Sequence, residues 1–204
     1  MFEAIRHFFE KVEEARRRDL EKIEFDGYGF MKRVYGLDHT PAQGAEASKH
    51  DTLTGCYNPK AFEEVGDQEI AVVRRYQVPM TAVILYLTNL KSIEEHYGLS
   101  EEQEVIKEVA AYLKTVIRSS DILFRWQTGI FVILLSHTAL EGAKVAADAF
   151  DKKVEAHPYG INEHPWCKAS VVPFDSEHDD AGTFKKAIEE EIARLVASIK
   201  PGSE

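Results

Sequence analysis

Residues 80 to 87 read M-T-A-V-I-L-Y-L, an almost unbroken apolar run rich in β-branched residues. A run this short is a strand rather than a membrane span, which needs about 20 apolar residues. Successive side chains of a strand point to opposite faces, so an all-apolar strand must be covered on both. The run therefore predicts a central strand with helices above and below it. A second stretch, D-I-L-F-R-W-Q-T-G-I-F-V-I-L-L-S from Asp121 to Ser136, has the outline of two strands joined at Gln127-Thr128-Gly129. A further strand is predicted from Trp166 to Val172.

Helical patterns separate these strands. One is predicted from Pro59 to Tyr76, with Asn58 as its N-cap, and a short one from Leu90 to His96. Others are predicted from Ser100 to Ile117, with Ser100 and Gln103 as a capping box, from Ala139 to Val154, and from Thr183 to Ile199. Helices interleaved with strands and a hairpin give an α/β sandwich. Ahead of it, Phe2, Ile5, Phe9, Val12 and Ile23 lie on one helical stripe, interrupted by Arg16 and Asp19. The expected organisation is a helical extension over residues 1–40, a linker over 41–49 containing Pro41 and Gly44, and one domain over 50–200. The first helix reads either as a short coiled coil for self-association or a protein partner, or as a helix packed on its own domain.

The formal net charge of -10 argues against a chain-wide affinity for nucleic acid or an anionic membrane. Cys56 and Cys167 lie far apart without C-x-x-C spacing, so neither a disulfide framework nor a zinc site is expected. The opening residues carry charge from Glu3 onward, unlike a secretory signal, and a cytoplasmic location is expected. His157 and His164 match no common metal-ligand spacing. Ser136-His137 reads as a strand end rather than a nucleophile pair, and Trp126 and Trp166 as core or groove packing on strands.

The stretch D-T-L-T-G-C-Y-N-P-K-A-F, from Asp51 to Phe62, resembles the D-x-L-T-G-L-x-N-R-R-x-F opening of GGDEF domains, the diguanylate cyclases. Lys91, Ile93, Tyr97 and Gly98 match that family's F-K-x-I-N-D-x-Y-G-H segment, and Arg118-x-x-Asp121 falls where it carries an R-x-x-D inhibitory site. The resemblance covers about residues 50 to 199. It implies a palm-like central mixed sheet flanked by helices, and an activity that joins two GTP molecules into cyclic di-GMP.

The departures bear on that activity. Metal-dependent phosphoryl transfer needs carboxylates to hold hard cations. The family's metal aspartate falls at Tyr86, the second acid of that strand at Thr88, and the signature G-G-D-E-F becomes Gln127, Thr128, Gly129, Ile130 and Phe131. Both signature acids are replaced, so neither metal nor other cofactor, and no cyclase chemistry, is expected. Base recognition is altered as well, with Glu94 and Gln103 at the family's Asn and Asp positions. In the C-terminal helix, Ile188 stands for an Asp.

Arg118 and Asp121 remain, and an arginine fork with a carboxylate can grasp a guanine and a phosphate of cyclic di-GMP. Equally, Arg118 can serve a helix end with Asp121 as its local partner. Ala149 occupies the place of a further family arginine, leaving Lys152 and Lys153 a turn away, while Arg74 and Arg75 are candidates for a second face. The leading expectation is an inactive module of bacterial cyclic di-GMP signalling, acting as a receptor through Arg118 and Asp121 or as a nucleotide-independent protein-interaction module. The rival is a residual cyclase using displaced acids such as Glu94 and Glu95.

Overall fold

A computed structural model describes residues 49–175 and 180–199. The expected extension over 1–40, and the linker apart from Lys49, lie outside the described residues. The elements run α1 (Phe62–Tyr76), β1 (Met80–Leu87), α2 (Leu90–Tyr97), α3 (Leu99–Val116), β2 (Ile122–Gln127), β3 (Ile130–Ser136), α4 (Leu140–Ala156), β4 (Cys167–Phe174) and α5 (Ala181–Ser198). No helix among them is long and apolar enough to cross a membrane.

The four strands form one sheet in the order β2-β3-β1-β4. Every neighbouring pair is antiparallel, so the sheet is antiparallel throughout and not the mixed one expected. β1 and β2 run the same way, but β3, returning through its hairpin, lies between them and supplies antiparallel ladders on both sides. Among the described residues the one parallel pairing is an isolated bridge from Tyr57 to Phe124. Through it Tyr57 donates its N–H to the Leu123 carbonyl at 3.2 Å and accepts from Arg125 N–H at 2.8 Å.

Alternation along the strands sorts the core into two layers. Val83, Leu85 and Leu87 of β1, with Phe131, Ile133 and Leu135 of β3, face Ile93 of α2, Val105, Ile106, Val109 and Leu113 of α3, and Phe150 of α4. Ala82 and Ile84, with Val132 and Leu134, face Phe62 and Ile70 of α1 and Phe184, Ile188 and Ile192 of α5. Ile188, where the family carries an acid, is fully buried. Trp126 joins the second layer, with its ring 5.1 Å from Phe62. Trp166 precedes β4 and is about half exposed, at 49%, which corrects its expected place in the packing.

Two expected caps differ. Asn58 accepts from the N–H groups of Lys60 and Ala61, closing a turn one step ahead of α1 rather than capping it. The Ser100–Gln103 box does not form, because Gly98, at φ +95, starts α3 directly at Leu99. A capping box does form at α5, where Asp180 accepts from Thr183 N–H and Thr183 Oγ1 from Asp180 N–H. β4 runs on through Pro173, which an edge strand tolerates because the missing N–H faces away from β1's ladder.

Candidate functional site

Asp51-x-Leu-Thr-Gly closes a turn and anchors a cation. Asp51 accepts from Thr54 N–H at 2.9 Å and Thr54 Oγ1 at 2.7 Å, and Gly55 takes a left-handed φ of +64. Both carboxylate oxygens of Asp51 receive Arg125 Nη1 at 3.0 Å. Arg125 and Asp51 are 14% and 21% exposed at the side chain, and Arg125 Nε is buried without a partner among the described residues. Burial pushes the Asp51 carboxyl up, but hydrogen bonds from Thr54 and Arg125 outweigh it and hold the group below the usual carboxylate range.

The hairpin turn is formed by Thr128 and Gly129, with Gln127 paired to Ile130. Gly129 has φ +71, a conformation that penalises any side chain. A Cβ there would lie 2.7 Å from Leu90 Cδ1 and 3.3 Å from the Leu87 carbonyl oxygen. The Gly129 carbonyl accepts from Leu87 N–H at 2.8 Å, tying the turn to the end of β1. Space that an acid would need is therefore filled by Leu90. Tyr86 and Ile130, at the two other metal positions implied by the resemblance, are directly opposed across β1 and β3 and pack with the α1–α5 layer. Phe131 is fully buried in the opposite layer.

A groove of about 240 Å³ opens where β1, the hairpin turn, α2 and α3 meet. It is lined by Tyr86, Leu87, Thr88, Leu90, Lys91, Glu94, Glu102 and Thr128. Gln103 is exposed and absent from this lining; Glu102, its neighbour, takes the inward place and is 7% exposed. Burial pushes the Glu102 carboxyl above its usual range, the Glu94 charge adds to this, and Arg125 opposes it. Glu95 is exposed and 3.7 Å from Lys91. Among the described residues no group of three or more His, Cys, Asp or Glu side chains could hold a metal ion. Glu102 was not singled out from the sequence, although its helical phase could have found it: it stands three and four residues before Val105 and Ile106 on α3's buried stripe.

Arg118 and Asp121 are close together, in the turn between α3 and β2. Asp121 Oδ2 accepts from the Arg118 N–H at 2.9 Å, and Asp121 N–H donates to the Arg118 carbonyl at 3.0 Å. The link runs through the backbone of Arg118, and its exposed side chain forms no hydrogen bond or ion pair among the described residues. Arg74 lies 5.9 Å over the Phe174 ring, at the β4 edge, so the sheet's width of three strand spacings, about 14 Å, separates it from Asp121. Arg75 lies over Tyr76 at 5.6 Å. Lys152 is exposed on α4, which packs on β1 and β4. The structure thus gathers two of the five candidate binding residues and spreads the other three.

Burial pushes the Asp121 carboxyl up, against the pull of the Arg118 N–H and guanidinium. A carboxyl raised in the folded state stabilises the fold fully below its unfolded value, near 3.9, and loses that contribution as pH rises through the raised value. Asp121→Asn keeps an acceptor for Arg118 N–H. It is expected to gain stability relative to the parent chain on going from about pH 4 to about pH 7, read as a rising urea midpoint difference. A constant difference across that range contradicts the assignment.

A family profile described as "Diguanylate cyclase, GGDEF domain" matches residues 48–193. The chain is 26% identical over 140 residues to diguanylate cyclase DgcP of Pseudomonas aeruginosa, covering 67% of this chain and 21% of that protein. It is 30% identical over 106 residues to diguanylate cyclase DgcM of Escherichia coli, covering 50% and 25%. The chain thus spans a quarter or less of the length of these curated relatives. Its fold is similar to the coiled coil and GGDEF domain of DgcB from Caulobacter crescentus, solved in complex with c-di-GMP. The TM-score is 0.66 at 17% identity, covering 85% of this chain and 90% of that one.

Proposed function

This chain belongs to the GGDEF family of diguanylate cyclase domains, and we propose that it is a catalytically inactive member acting as a binding or regulatory module in bacterial cyclic di-GMP signalling. One observation carries the inactivity: the signature's first acid position is Gly129, in a left-handed backbone with Leu90 in the space a side chain would occupy. The opposed Tyr86–Ile130 pair supports it, since neither side chain can ligate a hard dication. Incubation with GTP and magnesium or manganese is expected to yield no cyclic di-GMP. Product formation that is abolished by Glu94→Gln or Glu95→Gln would sink this reading in favour of displaced catalytic acids.

Cyclic di-GMP is the ligand proposed for Arg118 and Asp121. The exposed Arg118 guanidinium supports this, because it leaves all five donors available to a guanine edge or a phosphate. By calorimetry the nucleotide is expected to bind at micromolar concentration, and at least tenfold more weakly to Arg118→Ala. Absence of heat from either protein refutes the receptor role and leaves the inactivity standing.

A further inference from the structure

Among the described residues two positions that carry a side chain have a left-handed backbone, Gln77 at φ +52 and His137 at φ +56. Gln77 is the C-cap of α1, an ordinary place for that conformation. His137 ends no helix and lies between β3 and α4. Its turn is held from both sides. Thr138 N–H donates to the Pro79 carbonyl at 3.0 Å and Thr138 Oγ1 to the Ser136 carbonyl at 3.1 Å, while the Thr138 carbonyl accepts from Thr81 Oγ1 at 2.9 Å. The His137 side chain is exposed and forms no hydrogen bond or ion pair among the described residues. A strained residue that its neighbours fix, and whose own side chain makes no bond, points to binding rather than folding.

His137 stands beside the candidate nucleotide site. The β2–β3 ladder begins with Ile122 opposite Leu134, so the Arg118–Asp121 turn adjoins the Ser136–His137 end of β3. Glu69 of α1 reaches the same end, where it accepts from Ser136 Oγ at 2.8 Å. Burial pushes the Glu69 carboxyl up, the Ser136 hydroxyl and the His137 charge pull it down, and the Asp121 charge pushes it up. His137 and Asp121 thus lie within electrostatic reach of one carboxyl. Cyclic di-GMP carries two phosphates, and the Arg118 fork can serve one. Ala149 stands at the place of the further family arginine, and Arg74 lies over Phe174 at the β4 edge, across the sheet. We propose that His137 is the second phosphate-binding group of that site, its ring N–H directed to a phosphate beside Arg118. The inference rests on the cyclic di-GMP reading of Arg118 and Asp121.

Calorimetry with cyclic di-GMP on the full chain compares the parent with His137→Gly and His137→Arg. Glycine relieves the backbone and removes the donor, so its urea midpoint is expected at or above the parent's while its affinity falls at least fivefold. Arginine keeps donors there at the same backbone cost and is expected to bind within about threefold of the parent. Equal binding by His137→Gly overturns the inference. So does His137→Arg binding as weakly as His137→Gly, or a urea midpoint for His137→Gly below the parent's. Arg118→Ala separates the two readings: weaker binding there, with unchanged binding by His137→Gly, removes His137 and keeps the receptor. A parent chain that binds no nucleotide ends both.

Discussion

Gly129→Asp is expected to lower stability by about 2–4 kcal/mol and to restore no cyclase activity. Part of that cost is the left-handed backbone, about 1–2 kcal/mol for a residue with a Cβ. The rest comes from overpacking: Leu90 must leave its rotamer to clear a contact of 2.7 Å, and the Leu87 carbonyl, at 3.3 Å, is backbone and held by the sheet. A urea melt reads the first claim as a lower midpoint at unchanged slope. Enzyme assay of the triple variant Tyr86→Asp, Gly129→Asp, Ile130→Glu reads the second. Cyclic di-GMP produced by the triple variant would show that the acids alone were missing, and that the site's geometry had been kept.

Asp51→Ala is expected to cost about 2–4 kcal/mol, at or just below the range for breaking a buried ion pair, because both partners retain some exposure. It strands Arg125, whose Nε already lacks a partner among the described residues, and removes the acceptor that closes the Thr54 turn. Arg125→Leu leaves Asp51 with its Thr54 bonds and should cost less. The double variant Asp51→Ala, Arg125→Leu should fall well short of the sum, since no charge is then left unpaired. Additive losses in this cycle would show that the pair is not coupled. Asp51's depressed pKa fixes the acid side: its contribution is present above the unfolded value near 3.9 and is lost as pH falls through the lower folded value.

The sheet could be read from sequence because alternation leaves a local mark. Met80 to Leu87 is apolar on both faces, and the strand is buried on both. The hairpin was visible for the same reason, its two apolar segments meeting at a glycine. Helix starts were harder. Ser100 and Gln103 satisfy a capping pattern, but Gly98 begins the helix earlier by a backbone conformation that the pattern does not encode. Asp180 and Thr183 cap α5 without the Glu or Gln that the pattern calls for. In the groove, the missing acids were legible as substitutions, whereas the inward place of Glu102 was legible only as a helical phase. Glu101, Glu102 and Glu104 look alike in sequence, and only the helix phase against β1 and the hairpin decides which one turns inward.

The bridge from Tyr57 to β2 has a consequence for how this chain can be handled. β2 is an outer strand, and Tyr57 occupies the Leu123 carbonyl and the Arg125 N–H along its free side. A protein trimmed to begin after Asn58 would lose that cover and present those groups to another copy of itself, the usual seed of strand-to-strand aggregation. Tyr57, two residues past the D-x-L-T-G turn, thus covers part of the outer edge of β2. Fragments meant to stay monomeric should begin ahead of His50.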